Sequence, residues 1–206
     1  IICGDNGRGK ANLLESIWML TGVRSWRAAK KAEPVRWDNP KALLKANVET
    51  RGRSHELQLE LPAAGRSQIW VNGVKKQRQL ELSEYLRCVL FSPEDLYLIR
   101  EGAAARRKYL DDCICQLRPR YAQALAEYKR LHEHKTRILK DSEEKPSLLD
   151  TLDDFSLRMA QFGAILIHYR AHFIKRLAEV APAIHRDCSG GRETLALRYE
   201  TVSTVT

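Results

Sequence analysis

The sequence predicts an α/β fold: a phosphate-loop lobe carrying a small antiparallel sheet, followed by a lobe of long antiparallel helices. Three observations predict it. Gly4-Asp5-Asn6-Gly7-Arg8-Gly9-Lys10 has the G-x-x-x-x-G-K spacing and runs into an apolar helical stretch. Two alternating segments and an Asn72-Gly73 step mark strands and a hairpin. From Ala103 onward, apolar residues recur at steps of three and four.

The loop comes first. Glycine lacks a Cβ, so Gly4, Gly7 and Gly9 let the backbone turn tightly and aim its N–H groups inward at phosphate oxygens. Lys10 adds a point charge that reaches the β/γ-phosphates. Leu13, Leu14, Ile17 and Leu20 have helical spacing, so a helix from near Gly9 directs its N-terminal dipole at the same phosphates. Ile1 and Ile2 read as the end of a buried strand. Ala11 stands where such loops normally carry Ser or Thr, and removes a direct magnesium ligand. Waters and a carboxylate elsewhere can still hold the ion. Nucleotide binding is expected to survive this change better than hydrolysis. A glycine-rich turn that binds nothing is the competing reading; three glycines, Lys10 and a helix in register argue against it.

Residues 22–41 are polar and basic, with Arg24, Arg27, Lys30, Lys31, Arg36 and Lys41 around Trp26 and Trp37, and read as loop. Residues 42–49 and 54–61 read as strands, since Leu57, Leu59 and Leu61 alternate with Glu56, Gln58 and Glu60. Ile69–Val71 and Val74–Lys76 flank Asn72-Gly73, whose two positions suit the positive φ of a type I′ turn. Cys88–Phe91 is a short apolar run that reads as a buried strand. Ser92-Pro93-Glu94-Asp95 then predicts a capped helical turn with Pro93 in its first position.

The helical lobe begins at Ala103. Leu110, Ile114, Leu117, Tyr121, Leu125, Tyr128 and Leu131 form one stripe, which Pro119 breaks or kinks. Residues 141–146 make a charged connection. Leu152, Phe155, Met159, Phe162, Leu166, Tyr169, Phe173, Leu177 and Val180 form the second stripe, predicting an antiparallel helix pair. Thr194–Tyr199 alternates like a strand. The expected lobes are 1–102 (α/β), 103–185 (helical) and 186–206, the start of a returning strand region. The chain opens inside a motif and reads as a fragment truncated at both ends.

Composition narrows the function. With 35 Lys+Arg against 26 Asp+Glu, the net charge is +9, which favours a polyanionic partner. The five cysteines, Cys3, Cys88, Cys113, Cys115 and Cys188, form no C-x-x-C pair and predict reduced thiols in a cytoplasmic protein. No apolar stretch is long enough for a transmembrane helix and no signal peptide is visible, so no membrane association is expected. His168 and His172 are one helical turn apart but lack an acidic third ligand, so no metal site is assigned. Residues 103–140 hold ten Lys+Arg against four Asp+Glu. Arg106, Arg107, Lys129, Arg130 and Arg137 are the candidate DNA-phosphate contacts in that stretch, against the plainer reading of a solvated helix face. No catalytic residue is assigned. Glu94-Asp95 and Asp111-Asp112 are explained by capping and ion pairing.

Several blocks together resemble one family. The phosphate loop with Asn12-Leu13-Leu14-Glu15-Ser16-Ile17 is similar to that of the RecF proteins of bacterial recombinational repair. So are Ser25-Trp26-Arg27, Val89-Leu90-Phe91-Ser92-Pro93-Glu94-Asp95-Leu96 and Arg106-Arg107-Lys108-Tyr109-Leu110-Asp111. The resemblance implies an ABC-type ATPase head of the kind found in SMC proteins, with an inserted antiparallel helical lobe. It implies ATP at Gly4, Asp5, Asn6, Gly7, Arg8, Gly9, Lys10, Ala11 and Asn12, with Asn6 near the γ-phosphate. Magnesium is expected for the family, but Ala11 puts it in doubt here. It further implies an ATP-dependent homodimer, binding to single-stranded, gapped or junction DNA, and action with RecR and RecO in loading RecA. Roles in DNA replication and the SOS response follow from the same resemblance. The family's activity is a weak DNA-dependent ATPase. The ABC signature, the Walker B acidic pair and the switch histidine, which lie toward the C-terminus in this family, are not in this chain. Weak nucleotide binding and negligible hydrolysis are expected. Two other readings stay open: a small-molecule phosphate-loop kinase, and a nucleotide-independent DNA-binding scaffold with a degenerate loop.

Overall fold

Alternating leucines build the sheet. The computed structural model describes residues 1–27, 34–50 and 52–201. Strands β1 (Lys41–Thr50), β2 (Arg53–Pro62), β3 (Gln68–Val71) and β4 (Val74–Lys76) form one antiparallel sheet in that order. The register sets Leu44 opposite Leu59 and Leu59 opposite Ile69, with Leu57 opposite Val71. Because side chains alternate along a strand, these residues all lie on one face. Met19, Leu20, Val35 and Leu82 pack onto that face, where Leu57, Leu59 and Leu82 lose all exposure. Each such side chain contributes about 1.5–3 kcal/mol by leaving water. The expected hairpin forms, with Asn72 and Gly73 at φ 51° and 75°.

Helix α1 (Lys10–Met19) follows the glycine loop. Its buried face differs from the sequence expectation. Trp18, Met19 and Leu20 are buried, whereas Leu13, Leu14 and Ile17 are 49%, 48% and 39% exposed. One side of a ten-residue helix meets the sheet core, and that side is the one that carries Met19. After Leu20 the chain turns at Gly22 (φ 89°), where a Cβ would sit 2.5 Å from the Gln79 carbonyl oxygen. Only glycine fits that approach.

Three strand expectations are corrected. Ile1 and Ile2 form no strand and are exposed. Cys88–Phe91 is not a strand, and Val89 and Phe91 are 99% and 75% exposed. Its backbone is held by a side chain instead, since the Cys88 N–H donates to Gln116 Oε1 at 3.0 Å. Thr194–Tyr199 forms no strand either, for no neighbouring strand pairs with it among the described residues. The turn at Pro93–Tyr97 forms as a 3-10 helix with Pro93 first. The Ser92 N–H donates to Asp95 Oδ2 at 2.7 Å and caps it.

The described chain divides into two compact units, Ile1–Pro119 and Arg120 onward. Helix α2 (Ala103–Leu117) lies in the first and buries Leu110, Ile114 and Cys115. Pro119 breaks the helical run as expected, for α3 (Pro119–Asp141) starts on it. Helix α4 (Leu152–Ser189) runs through Pro182 and stops at Gly190, which is left-handed (φ 61°). Helices α3 and α4 form the antiparallel pair of the second unit. Tyr121 meets Tyr169 edge-on at 5.7 Å, the Tyr128 ring lies 3.5 Å from the Cβ position of Gly163, and His134 stacks on Phe155 at 6.3 Å. Contacts that rise along α3 thus fall along α4. Within the α4 stripe only Leu166 is fully buried, and Val180 is 54% exposed. A single partner helix covers only part of so broad a stripe.

Candidate phosphate site

The loop before α1 has the shape that its glycines permit. Gly7 and Gly9 sit at φ 78° and 81°, and Gly9 is the left-handed N-cap of α1. The first helical hydrogen bond runs from the Leu13 N–H to the Gly9 carbonyl at 3.0 Å. The N–H groups of the first turn therefore have no partner within the helix and face the loop end. Open space surrounds Gly4, Gly7 and Gly9, with no atom within 4 Å of any Cβ position.

Lys10 closes this cradle. Its Nζ donates to the Gly4 carbonyl at 2.6 Å and to the Asp5 carbonyl at 2.7 Å. The ammonium is thus held at the loop mouth by weak neutral acceptors, which a phosphate oxygen can replace with a charge-assisted bond. These residues fit a nucleotide's phosphates. Asp5, Asn6 and Arg8 are exposed on the same loop, and Ala11 and Asn12 are exposed on the first turn of α1. Ala11 offers no oxygen to a cation. Among the described residues, no group of three or more His, Cys, Asp or Glu side chains could hold a metal ion.

A clamp beside the loop is absent from the motif. Ser25 Oγ donates to Glu15 Oε1, and accepts from the Arg27 N–H at 3.1 Å. Arg27 Nη1 donates to Asn12 Oδ1 at 3.2 Å and lies 3.7 Å from Glu15 Oε2. Trp26 meets Trp18 edge-on at 6.4 Å, and Trp18 Nε1 donates to the Arg24 carbonyl. Residues 24–27 are thereby pinned along α1, from Asn12 in its first turn to Trp18 in its last. Lys30 and Lys31, further along the same basic segment, lie outside the described residues.

The candidate DNA contacts are divided between the units. Arg106 and Arg107 are exposed on α2, while Lys129, Arg130 and Arg137 are exposed on α3. Several have partners close by in the sequence. Arg106 Nη1 donates to the Glu101 carbonyl, Arg130 binds Glu127 through Nε and Nη2, and Arg137 lies 3.7 Å from Asp141. His168 packs edge-on against Tyr169. Elsewhere, burial pushes the Cys113 thiol and the Tyr109 phenol above their usual values, and the same cause raises Cys88. None of the five cysteines is in a disulfide among the described residues.

A glycine cradle with a lysine at its mouth and a helix behind it, an antiparallel subsheet, and a second unit of paired helices are the parts of an ABC-type ATPase head. The fold is shared with a solved structure of the recombination mediator protein RecF with ATPrS, of the RecFOR pathway. The TM-score is 0.83 and the identity 31%, over 91% of this chain and 51% of that one. A second, of RecF with ATP, gives 0.75 at 31%, over 90% and 50%. DNA replication and repair protein RecF of Agathobacter rectalis is 34% identical over 97% of this chain and 55% of its own length. That of Gloeobacter violaceus is 36% identical over 97% and 54%. No family model matches the chain. By sequence and by fold the chain is similar to RecF proteins across nearly all of its own residues. It spans about half the length of the relatives it matches.

Proposed function

We propose that the chain serves an ATP-dependent DNA-binding protein of recombinational repair and replication, and that residues 4–12 hold the nucleotide's phosphates. The observation that carries this reading is the glycine cradle with Lys10 at its mouth, in a chain similar to proteins solved with ATP and ATPrS. Lys10 leaves the Gly4 and Asp5 carbonyls for the β/γ-phosphates. The loop amides and the first turn of α1 supply the remaining donors. Arg27, held by Glu15 and Asn12, adds positive charge at the same end of the helix. Bound ATP supplies the charge that two heads share across a dimer interface; the chemistry of hydrolysis is slight here, because Ala11 gives magnesium no hydroxyl.

Arg106, Arg107, Lys129, Arg130 and Arg137 are proposed to contact DNA phosphates, which positions the protein without reading sequence. Action with RecR and RecO at single-stranded or gapped DNA, in loading RecA, completes the reading. The solved relative is a recombination mediator of the RecFOR pathway, which supports this reading.

The test is fluorescence anisotropy with a gapped duplex, with and without ATPγS, on the natural chain and on Lys10→Ala. Nucleotide should tighten binding severalfold in the natural chain and leave Lys10→Ala unchanged. Equal affinities in all four conditions would overturn the nucleotide switch, and would favour the scaffold reading that Ala11 suggests.

A further inference from the structure

We infer that the outward face of the sheet is a platform for unpaired nucleic acid, with a base stacked on Trp70 and phosphates on the surrounding cations. This rests on the DNA-binding reading above, and adds a surface separate from the α2 and α3 residues.

The strand register carries the inference. Lys45 lies opposite Gln58, Gln58 opposite Trp70, and Trp70 opposite Lys75. These four residues form one row across all four strands. Their neighbours along the chain, Leu57, Leu59, Ile69 and Val71, are buried, so the row lies on the face turned away from the core. The core has no use for a tryptophan there. Trp70 is half-exposed among Lys and Gln, and Lys45 and Lys75 are exposed.

The cations are placed for a phosphate backbone. Lys75 Nζ lies 5.8 Å from the Trp70 ring centroid and donates to Gln68 Oε1 at 2.7 Å. At the edge of the sheet, Arg66, Ser67, Gln68, Lys75, Lys76 and Gln77 line an open cleft that contains no acidic side chain; Gln68 and Lys75 share the face of Trp70, while Lys76, opposite Ile69, belongs to the other face. Ser67 Oγ is buried there and has no hydrogen-bond partner among the described residues. Of the acidic residues in the two adjoining rows, Glu60 is already bound to Lys41 at 2.8 Å, and Glu56 lies opposite Asn47 at the hairpin end, away from the cleft. An aromatic face beside basic side chains, on an open sheet, stacks single-stranded bases with little sequence preference. A duplex keeps its bases in their own stack and leaves Trp70 unused, so the platform takes the unpaired strand.

The experiment measures anisotropy of a labelled oligothymidylate of about 20 nucleotides, long enough for one or more sites, and of a duplex of equal length. The proteins are the natural chain, Trp70→Ala, Trp70→Phe and the paired Lys45→Gln/Lys75→Gln, whose lysines lie on the two edge strands in the row of Trp70, each checked by circular dichroism. Trp70→Ala should weaken binding of the single strand about tenfold and barely change duplex binding. Trp70→Phe should restore most of the loss. The lysine pair should flatten the single-strand salt slope by about 1.4, or about 0.7 per lost contact. If Trp70→Ala does not fold, the edge-strand lysines decide alone. Binding by the natural chain that no variant alters overturns the platform and leaves the DNA-binding reading on α2 and α3. No oligonucleotide binding by the natural chain overturns both.

Discussion

At the scale of single residues, Lys10 and Ala11 pull in opposite directions. Lys10 is bonded to two carbonyls of its own loop, so it is already positioned at the mouth of the cradle. Replacing it with alanine removes that cation, and Mg-ATP affinity should fall at least about tenfold, since bonds to charged groups contribute roughly 1.5–3 kcal/mol. Ala11→Thr returns the hydroxyl, and should raise affinity in magnesium while leaving affinity in EDTA unchanged. Parallel titrations with and without the metal check this. The thiols give a third expectation. Burial raises Cys113 and Cys88, so their thiolates form only above the usual range for cysteine. Cys3 and Cys188 are exposed. Iodoacetamide at neutral pH should label Cys3 and Cys188 first, with Cys88 and Cys113 reacting only as pH rises well into the alkaline range; mass spectrometry of a time course reads the order. The phosphate loop was legible in the sequence because its residues are contiguous. The Glu15, Ser25 and Arg27 clamp was not. Ten residues separate Glu15 from Ser25, and no periodicity announces a contact across a loop.

At the scale of elements, alternation and turn chemistry were reliable where a partner strand exists. Residues 42–49 and 54–61 lie within β1 and β2 because Leu57, Leu59 and Leu61 need one dry face. Cys88–Phe91 and Thr194–Tyr199 carry equally strand-like patterns, but nothing pairs with them among the described residues. Pattern reports which face is apolar; pairing decides whether a strand forms. The same limit explains α1, whose apolar spacing at Leu13, Leu14 and Ile17 does not coincide with its packed side at Met19. Two substitutions test the packing. Leu59→Ala should cost about 2–5 kcal/mol. Gly22→Ala should cost about 2–4 kcal/mol, because a Cβ meets the Gln79 backbone and the positive φ strains any other residue. Urea denaturation measures both, and a loss under about 1 kcal/mol for Gly22→Ala would contradict the close approach.

At the scale of the whole molecule, charge and loop point to one scheme. A net charge of +9 suits a phosphate polymer, and in the proposed function the nucleotide cradle regulates the grip on it. If α2 and α3 contact DNA, Lys129→Ala should weaken binding evenly across sequences and reduce the salt slope by about 0.9 on duplex. An unchanged slope removes Lys129 from the interface. All of this depends on whether residues 4–12 hold a nucleotide despite Ala11. Titration calorimetry of Mg-ATP against the natural chain and Lys10→Ala tests that most directly. The account predicts measurable, weak binding that Lys10→Ala reduces at least about tenfold. No heat of binding to the natural chain, or equal affinity in the two proteins, would contradict it.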